Sequence, residues 1–458
     1  MIFNCQVIRK HLLVDKVYQL QIYDDRITIG LNNRQLPKYE IPLNLTNRIS
    51  WRLNEKQQFM EFGIKYNDYV KWFSGKPDNL QRIKQLLTNK IFNHSISTFY
   101  QQSELIGSGA SSKVITIIDS NKVKYAAKCI SKDYITKKKT PDRLNRLLSE
   151  ITILRSLLNH QNVIQLLDIF EGDSTYYLIF EYLQGDTLHK FIKQQIKPLS
   201  EDVIRIILAQ LLQGIQYIHS NNYIHRDIKL ENIVLSNKQS IQNLKIIDFG
   251  LAISSTIFTP FAICGTPGYI APEILQQKEP NQGQFRFTNK VDMFGIGVML
   301  FRMMTKKSLF DSENTKELLS LNRKCQLPKS QIHGYSNELN NLLFGLLESN
   351  PIKRLSSKDA LNIINITQMS QELQISQFTT FQYDQDDFEV EHSNDFANTP
   401  YQFPNKFLKY ELENSFHCNE DHKHSSLHKS FQLSFSLRFS QDIPKQDFII
   451  ENFQNIPS

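Results

Sequence analysis

The segment that most constrains this chain is the octet at residues 225–232, which reads His-Arg-Asp-Ile-Lys-Leu-Glu-Asn. It places an acid, Asp227, a base, Lys229, and an amide, Asn232, within one short loop. An aspartate can accept the proton of a hydroxyl group, a lysine can neutralise negative charge, and an asparagine oxygen is a ligand for hard cations. The alternative is a polar turn after a helix, because Asp and Asn are common turn residues. The residues that follow decide between the two.

The Asp-Phe-Gly triplet at residues 248–250 begins 16 residues after Asn232. Together the two motifs resemble the catalytic loop and the metal-binding motif of eukaryotic protein kinases, and Lys229 resembles the residue that marks the serine/threonine type. The resemblance covers residues 99–366, more than half of the chain. It implies an α+β fold of two lobes, a small β-rich lobe and a larger helical lobe. It also implies transfer of the γ-phosphoryl group of ATP, with Mg²⁺, to Ser and Thr hydroxyls of protein substrates.

The resemblance assigns catalytic roles to individual residues. Asp227 is expected to position the substrate hydroxyl and accept its proton, and Lys229 to screen charge on the transferred phosphoryl group. Asn232 and Asp248 are expected to hold Mg²⁺. The alternative from another functional class is a pseudokinase scaffold. Such chains usually lose the residues equivalent to Lys128, Asp227 or Asp248, and all three are present here.

Lys128 and Glu150 are expected to form the pair that orients the phosphates of ATP. Lys128 ends the run Tyr-Ala-Ala-Lys on a predicted strand. Glu150 lies on a helix that is predicted over residues 141–158 from the spacing of its Leu and Ile residues. Taken separately, the two residues are ordinary surface charges, whose pairing contributes little. Their order relative to the other motifs favours the functional interpretation.

A glycine-rich loop precedes Lys128 in the chain. The family pattern is Gly-x-Gly-x-x-Gly-x-Val, and here Ser112 replaces the third glycine. Glycines let backbone N–H groups approach phosphates, although an ordinary Gly-Ser hairpin is the alternative for this loop alone. By resemblance, the main chain of Glu181 and Leu183 meets adenine beside the bulky Phe180. The expected nucleotide-binding residues are Ile106, Gly107, Ser108, Gly109, Ala110, Ser111, Ser112, Lys113, Val114, Lys128, Glu181 and Leu183.

Residues 264–273, which read Cys-Gly-Thr-Pro-Gly-Tyr-Ile-Ala-Pro-Glu, end the activation segment. They resemble the corresponding segment of the calcium/calmodulin-dependent group of serine/threonine kinases. The resemblance implies three contacts that support the lower lobe and its catalytic loop. They are Thr266 with Asp227 and Lys229, Glu273 with Arg354, and Asp292 with the backbone of the catalytic loop.

The usual activating phosphorylation site is missing from its usual position. Related kinases carry a threonine two residues before the Cys-Gly-Thr-Pro run, where this chain has Ala262. Arg226 would grip the phosphate of that threonine in those kinases. Either the chain has no phosphorylation switch, or the switch lies upstream. The upstream candidates are Ser254, Ser255, Thr256 and Thr259.

Two acidic residues predict a preference for basic substrates. Glu231 occupies a catalytic-loop position that meets an upstream arginine in basophilic kinases. Asp186 lies near the predicted hinge, where it is a candidate partner for the ribose or for a basic substrate side chain. Asp186 is the second of these two acids. It is shifted relative to the family pattern, and the residue that follows it is Thr187.

Residues 1–98 are predicted to form a β-rich module with one closing helix. Alternating, aromatic and β-branched residues indicate strands at residues 16–23, 26–29, 48–53, 59–64 and 68–73, with a turn signal at residues 67–68. Helical spacing indicates a helix that opens at residues 76–79 and reaches Ile91. This order of elements resembles a pleckstrin-homology-like domain, and the alternative is an irregular all-β extension packed on the kinase. The module is a candidate site for a membrane lipid or a protein partner.

Composition and charge argue against several classes of protein. The net charge of +7 is mild for 458 residues, and the scattered Lys and Arg residues argue against a nucleic-acid partner. Five cysteines without Cys-x-x-Cys spacing argue against a disulfide framework and a structural zinc. No run of ~18 apolar residues is present, so no transmembrane segment is expected, and the protein is expected to be cytoplasmic. Residues 367–458 are polar and are predicted to form a disordered regulatory tail.

Overall fold

The computed structural model of this chain describes nine ranges of residues. They are 1–31, 36–66, 69–109, 112–136, 143–238, 240–257, 263–276, 286–328 and 332–364. Several of the sequence predictions lie outside these ranges. They are the turn at residues 67–68, the loop residues Ala110 and Ser111, the activation-segment residues Thr259 and Ala262, and the tail at residues 367–458.

The first part of the chain forms seven antiparallel strands. Strand residues alternate between the core and the surface, as in the second strand, where Tyr18, Leu20 and Ile22 are buried. The strands are β1 (Phe3–Arg9), β2 (Lys16–Ile22), β3 (Arg26–Gly30), β4 (Tyr39–Pro42), β5 (Arg48–Leu53), β6 (Phe59–Tyr66) and β7 (Tyr69–Ser74). They neighbour one another in the order β4-β3-β2-β1-β7-β6-β5. The five predicted strands are confirmed, and β1 and β4 are additional.

One helix, α1 (Pro77–Leu87), packs on these strands. Proline suits the first helical turn because its fixed φ matches the helix and its missing N–H is not needed there. Leu80, Ile83 and Leu87 are buried in the same core as the strand side chains. The predicted extension to Ile91 is wrong, since the helix ends at Leu87 and Asn89 adopts a left-handed φ of 59°.

The small lobe follows as a second group of strands with one long helix. Its strands are β8 (Phe92–Asn93), β9 (Tyr100–Ser108), β10 (Ser112–Asp119), β11 (Lys124–Ser131), β12 (Leu166–Glu171) and β13 (Thr175–Glu181). Its helices are α2 (Lys132–Thr136) and α3 (Arg143–Ser156). The described part of α3 starts at Arg143, because residues 137–142 are outside the described ranges, and it ends two residues before the predicted Leu158.

The two groups of strands are joined by the short strand β8. It pairs in parallel with β5, where Ile49 is opposite Asn93, and in parallel with β12, where Phe170 is opposite Asn93. The result is one sheet of 13 strands in the order β4-β3-β2-β1-β7-β6-β5-β8-β12-β13-β11-β10-β9. The N-terminal module is therefore built onto the edge strand of the small lobe.

The large lobe is mainly helical, and its core is formed by α5 and α7. Its helices are α4 (Leu188–Gln194), α5 (Glu201–Ser220), α6 (Pro272–Leu275), α7 (Lys290–Thr305), α8 (Thr315–Lys324), α9 (Asn337–Leu346) and α10 (Ser357–Ile363). Its strands are β14 (Tyr223–Ile224), β15 (Ile233–Asn237), β16 (Ser240–Ile246) and β17 (Ile253–Ser254). Among the described residues, we find no helix with the length and apolar character needed to cross a membrane.

Candidate active site

A cleft with an empty volume of about 870 Å³ lies between the two lobes. Its walls are largely apolar and include Ile106, Val114, Ala126, Phe180 and Val234. A concave cleft with apolar walls and a few polar groups is typical of a small-molecule site.

Lys128 on β11 lies at the inner end of this cleft in a buried ion-pair network. Its Nζ is 2.7 Å from Glu150 Oε1 on α3 and 3.1 Å from Asp248 Oδ1. Burial by itself lowers the pKa of Lys128, but the charges of Asp248 and Glu150 outweigh it and raise that pKa. Burial raises the pKa of Asp248, but Lys128 outweighs it and holds that pKa below its usual value. The cleft therefore contains a fixed cation beside a fixed carboxylate.

The catalytic-loop residues contact one another and Thr266 of the activation segment. Asp227 Oδ1 accepts hydrogen bonds from the Thr266 backbone N–H at 3.1 Å and from Thr266 Oγ1 at 2.7 Å. Asp227 Oδ2 accepts from Asn232 Nδ2 at 3.0 Å and lies 3.2 Å from Lys229 Nζ. Lys229 Nζ also donates to Thr266 Oγ1 at 2.8 Å. The predicted contact of Thr266 with both charged residues is confirmed, and the Asp227 carboxylate is held in one orientation.

Residues 100–364 match the family model described as protein kinase domain. This span is more than half of the 458 residues. The chain belongs to the protein kinase family.

Serine/threonine kinases from several organisms are similar to this kinase. It is 33% identical over 270 residues to the cell cycle serine/threonine-protein kinase CDC5/MSD2 of Saccharomyces cerevisiae, covering 58% of this chain and 36% of that kinase. It is 34% identical over 273 residues to the serine/threonine-protein kinase cds1 of Schizosaccharomyces pombe, covering 58% of each chain. It is 33% identical over 222 residues to the serine/threonine-protein kinase PLK4 of Xenopus tropicalis, covering 48% of this chain and 22% of that kinase. The matched region thus spans less than two thirds of each relative.

Asp292 on α7 holds the backbone of the catalytic loop by hydrogen bonds. Its carboxylate accepts hydrogen bonds from the backbone N–H groups of His225 at 2.9 Å and Arg226 at 2.8 Å, and lies 2.8 Å from His219 Nε2. The predicted bracing role of Asp292 is confirmed by these contacts. Burial raises the pKa of Asp292, but the hydrogen bond and charge of His219 outweigh it and lower that pKa. Arg226 has a left-handed φ of 67°, so the bracing also holds a strained backbone turn.

The substitution Asp292→Asn is expected to remove a pH-dependent part of the free energy of unfolding. Because the folded-state pKa of Asp292 is lowered, its ionised form stabilises the folded kinase above the ordinary Asp pKa of about 3.9. This contribution is lost as the pH falls through the folded-state pKa. Thermal unfolding between about pH 3.5 and 7 should show a Tm difference from wild type that is largest near neutral pH and narrows below about pH 4. A Tm difference that does not change with pH would contradict this account.

The third predicted support, between Glu273 and Arg354, is also confirmed. Arg354 is 1% exposed, and its Nη1 and Nη2 donate to the two oxygens of Glu273 at 2.7 and 2.8 Å. A bidentate guanidinium–carboxylate pair fixes both distance and orientation. It connects the end of the activation segment to the segment before α10.

Arg226 makes local contacts near the activation segment. Its Nε donates to the Leu251 carbonyl at 2.6 Å, and its guanidinium lies 4.8 Å from the centre of the Phe287 ring. Of the candidate phosphorylation residues, Ser254 pairs with Tyr223 across β14 and β17, and its Oγ lies 2.8 Å from Thr256 Oγ1. Phosphorylation of Ser254, Ser255 and Thr256 stays a prediction.

The structure places most of the predicted nucleotide-binding residues along the cleft. Its lining includes Ile106, Ser108, Gly109, Ser112, Val114, Lys128, Glu181 and Leu183. Gly107 and Lys113 are not among the lining residues, although they lie in the same β9–β10 hairpin, opposite Val114 and Ser108. The Glu181 side chain is engaged elsewhere, since its Oε1 lies 2.9 Å from Lys245 Nζ and accepts from the Gln165 N–H at 3.0 Å. The contact of its main chain with adenine stays a prediction.

Sequence reasoning missed several residues of the cleft. Ala126, Leu154, Val234 and Ile247 line it but carry no motif of their own. Ala126 precedes Lys128 by two positions, and residues two apart on a strand point to the same face, which is a signal that could have been used. The direct pairing of Lys128 with Asp248 was also missed, because the two residues are 120 positions apart.

Proposed function

We propose that this chain is a serine/threonine protein kinase that transfers the γ-phosphoryl group of Mg-ATP to Ser and Thr hydroxyls of proteins. The observation that carries the proposal is a pair of neighbouring contacts. Lys128 pairs with Asp248 in the apolar cleft, and Asn232, which donates to Asp227, also accepts a hydrogen bond through its backbone carbonyl from the N–H of Ile247, the residue before Asp248. The naming of similar proteins as serine/threonine kinases supports it. Phosphoryl transfer depends mainly on positioning and electrostatic stabilisation, and these four residues supply both.

The residues of the cleft fit ATP and a magnesium ion. The apolar walls of the cleft suit adenine, and the main chain of Glu181 and Leu183 would bind the edge of the adenine ring. Lys128, held by Glu150, would contact the α- and β-phosphates. The Asp248 carboxylate and the Asn232 amide oxygen are hard oxygen donors of the type that Mg²⁺ prefers. When bound, the metal ion would neutralise charge on the phosphates.

The substrate hydroxyl would be handled by Asp227 and Lys229. An ionised Asp227 can orient the hydroxyl and accept its proton during transfer. Lys229 Nζ, which lies between Asp227 and Thr266, would contact the transferred phosphoryl group and offset its charge. The hydrogen bonds of Thr266 and Asn232 hold Asp227 ready for this contact, so little reorganisation is needed.

A transfer assay with three matched peptides tests the proposal. Radiolabelled γ-phosphate of Mg-ATP is offered with peptides that differ only in a Ser, Thr or Tyr acceptor. Label is expected on the Ser and Thr peptides, with little on the Tyr peptide, and chelation of the metal with EDTA is expected to abolish transfer because Mg²⁺ neutralises the phosphate charge. Equal labelling of Tyr would contradict the proposed specificity. Absence of transfer to protein and peptide substrates, with Mg-ATP still bound, would favour a scaffold.

We also infer two finer assignments. The activation-segment motif at residues 264–273 supports placement near the calcium/calmodulin-dependent group. Seven antiparallel strands in the order β4-β3-β2-β1-β7-β6-β5, followed by α1, support a pleckstrin-homology-like module over residues 1–98. Because the β5 side of this module is joined to the small lobe through β8, a lipid or protein partner would meet the module at its other surfaces.

A further inference from the structure

The acid Glu231 in the catalytic loop is already paired with a basic side chain of the kinase itself. Its Oε1 lies 2.6 Å from His189 Nδ1, and the two side chains are only 15% and 13% exposed. His189 is the second residue of α4, which packs on the turn formed by Leu230–Asn232. The side chain of Thr187 caps this helix by accepting a hydrogen bond from the Lys190 N–H at 3.2 Å, so the position of His189 is defined by the start of the helix.

The second acid, Asp186, is also paired with a residue of α4. Its Oδ1 lies 3.0 Å from Lys190 Nζ, and this pair is more open, with 28% of the Asp186 and 37% of the Lys190 side chain exposed. Glu231 is predicted to meet a basic residue of the substrate, and Asp186 is a candidate partner for such a residue or for the ribose. The consecutive residues His189 and Lys190 therefore pair with Glu231 and Asp186, respectively.

The Glu231 carboxylate is enclosed by the protein. Its Oε1 faces His189 Nδ1 at 2.6 Å, and its Oε2 is buried from solvent. A guanidinium group from a substrate would have to compete with His189 for a carboxylate that is already paired and largely withdrawn from water.

We propose that His189 and Lys190 set the substrate specificity of this kinase, by occupying the two carboxylates that would otherwise bind basic residues upstream of the phosphorylated Ser or Thr. The inference rests on the proposed kinase function. His189 is the main determinant, because its pair with Glu231 is the more buried of the two. The wild-type kinase then discriminates weakly between Arg and Ala upstream of the acceptor, in contrast to the preference that Glu231 and Asp186 predict by themselves.

The test compares kcat/KM for pairs of Ser peptides that carry Arg or Ala two or three residues before the acceptor. Wild type is expected to give an Arg-to-Ala ratio near one. The substitution His189→Ala is expected to raise this ratio about 10- to 100-fold, because it leaves a buried carboxylate whose hydrogen bond to a charged group is then supplied by the substrate. The change should appear in the KM for the Arg peptide. His333→Ala, at an exposed histidine, is the matched control and should leave the ratio at the wild-type value.

A double-mutant cycle identifies Glu231 as the carboxylate that is released. Glu231→Gln in the wild-type background should hardly change the ratio, whereas in the His189→Ala background it should remove the gain. Lys190→Ala, at a position whose side chain is 37% exposed, provides a second variant in case His189→Ala does not fold. It is expected to raise the Arg-to-Ala ratio at one of the two tested positions through Asp186.

Each outcome separates this inference from the proposed function. Transfer by wild type to the Ala peptide is measured first, and its absence would overturn the proposed function together with the inference that rests on it. Transfer with an Arg-to-Ala ratio above about 10 in wild type would overturn the specificity inference alone, since that is already a discrimination of the size expected after removal of His189. A ratio that does not rise in either folded variant, His189→Ala or Lys190→Ala, would overturn it as well.

Discussion

Replacing Asp227 with asparagine is expected to lower kcat by about 10²- to 10⁴-fold, while the kinase stays folded and binds Mg-ATP. The amide has nearly the same shape as the carboxylate, so its oxygen can still accept the hydrogen bonds that Thr266 donates to Asp227 Oδ1. It has no negative charge for Lys229 Nζ at 3.2 Å and cannot accept the proton of a hydroxyl group. The loss should therefore appear in the chemical step.

The measurement is the initial rate of γ-phosphoryl transfer at saturating Mg-ATP and peptide. Thermal unfolding with and without Mg-ATP shows whether the variant is folded and binds nucleotide. Asp202→Asn is the matched control, because Asp202 is an exposed residue in the first turn of α5, and its substitution should leave kcat unchanged. If Asp227→Asn, folded and bound to Mg-ATP, retained a kcat within a factor of a few of wild type, the catalytic assignment of Asp227 would be wrong.

The catalytic loop could be located from sequence because its chemistry is local. Asp227, Lys229 and Asn232 lie within six positions, and their mutual contacts are set by one turn of the chain. The long-range contacts of Asp292 and of the pair Glu273–Arg354 were predicted only through the family resemblance, since 66 to 81 positions separate the partners. Helical or strand periodicity carries no information about which distant residue a given side chain will contact.

Pairings made by short or irregular segments could not be predicted. Strand β8 has only two residues, so it shows no alternation, yet it connects β5 to β12. His189 lies 42 positions before Glu231, and no motif links them; their contact arises because α4 packs on the catalytic loop. The end of α1 at Leu87 was missed because a left-handed residue, Asn89, interrupts a pattern whose apolar spacing continues.

Asn93→Ala is expected to destabilise the N-terminal module and the kinase domain together, by about 2–4 kcal/mol in the free energy of unfolding. Asn93 is 2% exposed, and its side chain uses both of its ends. Its Oδ1 accepts from Trp51 Nε1 at 2.9 Å, within the module. Its Nδ2 donates to Asp168 Oδ1 at 2.7 Å and to the Ile169 carbonyl at 3.2 Å, in β12 of the small lobe. Alanine leaves these buried polar groups without this partner.

Charged contacts around Asn93 add to the same junction. The Nζ of Lys84, on α1, lies 2.6 Å from Asp168 Oδ2. The Nε of Arg48, on β5, lies 2.6 Å from Glu171 Oε2. Glu171 Oε1 also lies 2.7 Å from the Nζ of Lys132, which directly follows the strand of Lys128. Because the Lys84–Asp168 and Lys132–Glu171 pairs are mostly withdrawn from water, removing one partner of either pair costs more than at an exposed surface pair. The junction therefore connects the module to the sheet that carries Lys128.

Thermal unfolding of the full chain distinguishes a shared structural unit from two independent ones. Asn4→Ala is the matched control, because Asn4 is exposed on β1 of the same module, and its effect should stay within about 0.5 kcal/mol. A shared unit predicts one transition that moves to lower temperature in Asn93→Ala, since losing the Asn93 side chain removes a hydrogen bond to Trp51 of β5 and those to Asp168 and Ile169 of β12 at once. Two separate transitions, of which Asn93→Ala shifts only one, would show that the module and the small lobe unfold independently despite their common sheet. A shift no larger than that of Asn4→Ala would mean that water replaces the lost hydrogen bonds, and that the sheet pairing alone holds the two parts together.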